Sequence, residues 1–200
     1  MRAREVAYPP PGFPIRLPAD LWQRTLGVIR RYAKLGGRSR IRGSEAIVYW
    51  AGVVAAGEMV ITAIYELNHA PQGDSVRVTP EEARWLVRTL RSRDEKLVAQ
   101  VHSHRGLAGH SHGDDLWATS FHEGFVSIVV PHFASDVTSP LQCAVLDYRG
   151  GQFQPMAPEE IERRIVLAPT MVVKPQTWLG KDSAWKRFVQ KLKSIGPSRR

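Results

Sequence analysis

Apolar residues in this chain follow two spacings, and the switches between them mark out its elements. Trp22, Leu26, Ile29 and Ala33 recur three to four residues apart. That stripe predicts a helix from Asp20, read as its cap, to about Leu35, with Gly36-Gly37 as its stop. Glu45 to Gly52 and Met59 to Tyr65 read as a strand pair, with Ala56-Gly57 near the turn. Thr79-Pro80-Glu81-Glu82 is a capping box with proline at the first helical position, and the helix it opens is expected to bury Ala83, Leu86, Val87 and Leu90. Leu97 to His102 and Phe125 to Pro131 are buried strands. Leu141 to Tyr148 and Gln152 to Met156 form a hairpin through Gly150-Gly151, and Pro158 to Ile165 is a short helix. Strands interleaved with helices, and no internal repeat, give an α/β (α+β) class.

The two ends depart from this pattern. Met1 to Pro18 contains Tyr8-Pro9-Pro10-Pro11-Gly12-Phe13-Pro14, which predicts an extended, polyproline-like arm docked along the domain. Residues 19–168 make the domain proper. After a linker with Pro169 and Pro175, Trp185, Phe188, Leu192 and Ile195 share one helical face with lysines opposite, so 169–200 reads as a basic linker and amphipathic helix. Packing on its own domain and docking to a partner remain equal readings of that helix.

Composition narrows the class. Two hundred residues with 43% hydrophobic and 24% charged content suit one soluble domain with a sizeable core. No apolar run approaches a membrane span and the N-terminus lacks a signal-peptide core, so the expected location is cytoplasmic. Cys143 is the only cysteine, which excludes an internal disulfide and cysteine-rich zinc sites; its apolar surroundings suggest a packing thiol. The net charge of +9 invites a nucleic-acid reading, but residues 171–200 hold eight Lys or Arg against Asp182 alone. Most of the excess therefore belongs to the tail. Nucleic-acid binding is disfavoured as the main role, though the tail keeps it open as an added one. Arg38, Arg40 and Arg42 read as a solvated edge.

The chemistry concentrates between Val98 and Trp117. Period-two alternation sends His102 and His104 off the end of their strand on the same side. A glycine-punctuated loop follows, and Ser111 with Asp114 forms the Ser-x-x-Asp pattern of a capped helix start. Two imidazoles and one carboxylate are a three-ligand zinc set that leaves a fourth position for water, as catalytic rather than structural zinc requires. A histidine-rich surface loop is the plain alternative, since four of the seven histidines fall between 102 and 112. The conjunction of strand, His-x-His, loop and helix start favours the metal.

At these residues the chain resembles the JAMM, or MPN-plus (JAB), zinc metallopeptidase family, in a compact bacterial deubiquitinase-like form. Its pattern is a glutamate, then His-x-His, seven residues and Ser-x-x-Asp; the match is His102-Ser103-His104 and Ser111-His112-Gly113-Asp114. Arg105 stands where a proline is common, and six residues rather than seven precede Ser111. A deletion in the loop makes Asp114 the ligand, which is preferred; keeping the full spacing makes it Asp115. The resemblance implies a cytidine-deaminase-like MPN/JAB domain with a mixed β-sheet flanked by helices, covering about Leu21 to Met156. It implies one Zn2+ per chain held by His102, His104 and Asp114. It also implies a catalytic glutamate at the head of a strand, six residues before a glycine; Glu45 to Gly52 reproduces that spacing, with Glu58 and Glu66 as competitors. Ser111 would stabilise the oxyanion. The implied reaction is isopeptide or peptide hydrolysis after the C-terminal glycine of a ubiquitin-like protein, with activating or conjugating enzymes as further partners. A non-catalytic MPN-type scaffold is the alternative. A zinc deaminase is disfavoured because its Pro-Cys-x-x-Cys motif is absent.

Overall fold

The computed structural model describes residue 8 and residues 10–35, 43–67, 78–109, 118–169 and 176–177. In chain order the elements are β1 (Ile15–Pro18), α1 (Ala19–Ala33), β2 (Ile47–Ala55), β3 (Glu58–Glu66), α2 (Pro80–Ser92), β4 (Lys96–Ser103), β5 (Val126–Val130), β6 (Ala144–Arg149), β7 (Gln152–Pro155), α3 (Pro158–Arg164), β8 (Ile165–Ala168) and β9 (Gln176–Thr177). Short 3-10 turns occupy Pro131–Ala134 and Pro140–Gln142. The strands form one mixed, curled sheet in the order β7-β6-β5-β4-β2-β3-β1-β8, with β9 beside β3. This is an α+β fold. Among the described residues no helix is long and apolar enough to cross a membrane.

Helices cover both faces because both faces of the central strands are apolar. Under α1, Trp22, Leu26 and Ile29 meet Val48, Trp50, Val101 and Ile128. Trp22 and Trp50 meet edge to face with centroids 6.0 Å apart, and the buried indole N–H of Trp50 donates to Thr25 Oγ1 at 3.0 Å. Under α2, Leu86 and Leu90 pack on Ile47, Tyr49, Tyr65 and Leu97.

Three local expectations are corrected. Asp20 does not cap α1: the helix begins at Ala19 after Pro18, with no side-chain cap, and Asp20 lies in the first turn beside the positive end of the helix dipole. On α2, Val87 is 46% exposed and Ala83 only half-buried, so Leu86 and Leu90 carry the packing. Glu82 is buried instead, because its carboxylate turns back to the Thr79 N–H at 2.8 Å and completes the capping box. Finally, Leu141 and Gln142 belong to a 3-10 turn rather than to β6. The predicted stop at Gly36-Gly37, the arginines 38, 40 and 42 and the tail helix lie outside the described residues.

The arm is in part a strand. Ile15 and Leu17, both fully buried, sit in β1, which runs parallel to β3 on one side and to β8 on the other. Further out, Tyr8 stacks on His122 with centroids 3.8 Å apart. Ile15–Pro18 is thus an inner strand of the sheet rather than part of a separate arm.

Candidate metal centre

β4 presents His102 and His104 at its C-terminal end. Its neighbour β2 runs antiparallel with Ile47 opposite His102, and directly opposed residues share a face. Ile47 packs in the cluster under α2, so His102 is on the α2 face, and His104 leaves on the same side two residues later. The two rings lie 5.2 Å apart between centroids and are tilted by 58°. His102 is 7% exposed and His104 is half-buried. Two imidazoles bound to one tetrahedral ion through bonds of about 2 Å would hold their ring centres roughly 5 Å apart. The pair fits that spacing.

Ser103, between them, points to the opposite face and is fully buried. Its backbone N–H donates to the Ala46 carbonyl at 3.1 Å, and its hydroxyl accepts the Ala46 N–H at 3.1 Å. These bonds carry the pairing of β2 with β4 one step beyond Ile47 and His102, to Ala46 and Ser103, and half-buried Glu45 is the residue before Ala46 as His104 is the residue after Ser103. The two competing acids are elsewhere. Glu66 is opposite Val48 on the α1 face and pairs with Arg31. Glu58 pairs with Arg16 at the far end of the β2–β3 hairpin, about 26 Å along the strand from Ile47 at the usual rise per residue.

Ser111, His112, Asp114 and Asp115 lie outside the described residues. Among the described residues no group of three or more His, Cys, Asp or Glu side chains is placed to hold a metal. The structure does fix both flanks of that segment. His104 precedes it, and after it the Thr119 N–H donates to Gln100 Oε1 at 3.1 Å while Thr119 Oγ1 shares a 2.5 Å hydrogen bond with the Tyr49 hydroxyl. Gln100, itself buried, donates onward to Ser127 Oγ at 3.2 Å. Gln100 and Tyr49 are opposite one another on the histidine face, so the chain leaves β4 and returns to the same face. Burial raises the Tyr49 phenol well above its ordinary range, which keeps it a neutral hydrogen-bonding group. Sequence reasoning missed this latch, because Tyr49, Gln100 and Thr119 form no local pattern.

Beside the site, His132, Phe133 and Ala134 have φ of 48°, 52° and 63°, three consecutive non-glycine residues in the left-handed region. The turn is held from several sides. Its N–H groups reach Gly106 O at 2.9 Å and His104 O at 3.0 Å, and Arg30 donates to Ala134 O at 2.9 Å. The Phe133 ring covers Gly43, where an added Cβ would be 2.7 Å from it. One strained turn thus braces the exit of His104 and the segment leading to Glu45. Because left-handed backbone costs a non-glycine residue about 1–2 kcal/mol, His132→Gly is expected to raise unfolding free energy by up to about 1 kcal/mol after its extra unfolded-state entropy. A urea midpoint equal to or below wild type would show that the turn is not strained at His132.

Two further groups are set by burial. The Cys143 thiol is pushed up to about 12, as a packing thiol should be and a nucleophile should not. His122, under Tyr8 and against Phe125, is pushed down to about 4 and stays neutral.

No family model matches the chain. A protein from Sinorhizobium fredii named a probable metalloprotease, y4jG, is 38% identical over 99 residues, which are 48% of this chain and 61% of that protein. The solution structure of protein DSY2949 from Desulfitobacterium hafniense aligns with a TM-score of 0.55 at 16% identity, over 79% of this chain and 95% of that one. A protein from Salinibacter ruber aligns at 0.44 and 15% identity, over 71% and 88%. The Desulfitobacterium likeness is one of fold. The sequence likeness makes this chain a partial relative of a protein named as a metalloprotease.

Proposed function

We propose that the chain is a zinc-dependent isopeptidase or peptidase of the MPN-plus type, built on a cytidine-deaminase-like domain. It cleaves after the C-terminal glycine of a ubiquitin-like modifier, in deconjugation or precursor processing within a bacterial conjugation system. The observation that carries this reading is the pair of imidazoles on one face at the end of β4; Glu45, next to the Ala46–Ser103 pairing, is the carboxylate we assign to them. The partial relative named a probable metalloprotease supports the hydrolytic class.

In this reading His102, His104 and Asp114, with Asp115 as the alternative, hold the metal. Bound there, zinc supplies a Lewis acid and makes hydroxide available near neutral pH. Glu45 accepts the proton of the attacking water and passes it to the leaving amine. The Ser111 hydroxyl donates to the oxyanion. Asp114 is five residues before Thr119, a span of at most about 18 Å, and Thr119 is tied to Gln100, two residues before His102. That tether is compatible with a third ligand closing on the histidines. The extended tail of the modifier would dock by adding a strand beside the cleft.

The test combines metal analysis of the full chain with cleavage of fusions carrying candidate ubiquitin-like modifiers. Wild type is expected to hold one zinc per chain and release the extension after the terminal glycine, and His102→Ala to lose both. Wild type without zinc, or His102→Ala cutting as fast as wild type, overturns the proposal.

A further inference from the structure

On the other face of the sheet, away from the histidines, a cavity of ≈170 Å³ opens between β6, the end of α3 and the docked arm. Its polar lining is Asp147, Arg149, Glu160, Arg163 and Arg164, with Gly12 at the rim. It far exceeds the ~10–15 Å³ that one water needs. Arg164 is only 4% exposed and Asp147 1%, yet their closest approach, Arg164 Nη2 to Asp147 Oδ1, is 3.7 Å. Arg149 stands 3.6 Å from Asp147 and 3.7 Å from Glu160. These charges are neighbours without being hydrogen-bonded to one another.

The consequence is a set of buried polar atoms still lacking partners among the described residues. Arg164 Nη2 donates to Gly124 O at 2.7 Å, but Arg164 Nε and Nη1, Arg149 Nε and Asp147 Oδ1 have none. Leaving such groups unmet is costly. They ask for two different things: the arginines need acceptors carrying negative charge, and the carboxylate oxygen needs a donor. Few small ions offer both. Inorganic phosphate does, because it keeps at least one hydroxyl at neutral pH beside its charged oxygens, whereas sulfate keeps none. We propose that this cavity is a binding site for inorganic phosphate, with Arg149, Arg163 and Arg164 meeting its charged oxygens and Asp147 accepting from its hydroxyl.

The arrangement explains why a carboxylate lies among three arginines without closing a tight ion pair on any of them. Gly12 lines the same cavity, so an ion held here would tie the arm to β6 and α3. The site is independent of the metal reading, since Asp147 is opposite Val126 at the start of β5 while His102 is beside Val129 near its end.

Titration calorimetry of the 200-residue chain with sodium phosphate and with sodium sulfate, at matched ionic strength, tests the proposal. Phosphate is expected to bind at one site and sulfate at least about tenfold more weakly. Arg163→Gln, at an exposed position where the fold is not at stake, should weaken phosphate about tenfold or more, the usual scale of one charge-assisted bond. Asp147→Asn offers an amide donor in place of the acceptor, so it should erase or reverse the preference for phosphate over sulfate. A purely structural role for Asp147 would not move that ratio. No phosphate binding at millimolar concentration, equal binding of sulfate, or wild-type affinity in Arg163→Gln each overturns the proposal.

Discussion

Glu45→Gln is expected to keep one zinc per chain and to lower the rate of modifier cleavage by about 10²–10⁴-fold, equivalent to roughly 3–5 kcal/mol on the barrier. Glutamine matches glutamate in shape, so the variant changes one property: it cannot accept a proton from water. The support for Glu45 is in the backbone. The two hydrogen bonds between Ala46 and Ser103 do not involve the Glu45 side chain and should survive the change. Metal content and folding therefore act as internal controls. Glu66→Gln, on the α1 face beside Arg31, should leave the rate per zinc-loaded chain at the wild-type value. Wild-type turnover in Glu45→Gln, or a comparable loss in Glu66→Gln, would place the base elsewhere while leaving the histidine pair intact.

The histidine pair and the Glu45 assignment rest on different kinds of signal. His-x-His on a strand needs only period two to put both rings on one side, and that rule is local. Glu45 rests on a resemblance, because a glutamate before an apolar strand has no local signature; the bonds of Ser103, which join residues 57 apart, fix its neighbour Ala46. The latch of Tyr49, Gln100 and Thr119 was illegible for the same reason. So was the left-handed turn: His132-Phe133-Ala134 holds no glycine, and the backbone is held there by Arg30 and by contacts to His104 and Gly106.

The same distinction runs through the fold. The α1 stripe, the capping box at Thr79 and the Gly150-Gly151 hairpin all appear where short-range chemistry placed them. β1 and β8 did not announce themselves, because four residues give too little alternation to count. Ile15–Pro18 reads as the end of an arm, and Ile165 as the last residue of a short helix, until Ile15–Pro18 is seen to pair with Ile165–Ala168. Val87 is a case of the opposite kind. Its spacing suits the buried stripe, but α2 meets the sheet along the line of Leu86 and Leu90, and a third flank of the helix is left outside.

Gly52→Ala is expected to destabilise the protein by about 3 kcal/mol or more, beyond the usual range for one added methyl in a packed core. In a chain of this size that corresponds to a fall in thermal midpoint of roughly 6–12 °C. A Cβ at Gly52 would stand 2.2 Å from Val60 O, 2.9 Å from Val60 C and 3.1 Å from Ile61 Cα, all backbone of the paired strand β3. No side-chain rotation can relieve that. The glycine sits where β2 changes register, between Ala51 and Gly52 against β3 and between Trp50 and Ala51 against β4. Such a bulge resets which residues oppose one another, and a one-residue slip would send every side chain of a strand to the wrong face. Gly52 thus helps secure the register of β2 against its neighbours, in which Ile47 is opposite His102. Displacing β3 should therefore lower cleavage per folded molecule as well as stability. Gly27→Ala is the counterpart, since the exposed middle of α1 has nothing within 4 Å of the new Cβ, and it should stabilise by about 0.5–1 kcal/mol. Equal unfolding midpoints for Gly52→Ala and wild type would mean that β2 and β3 are not as closely apposed as this register requires.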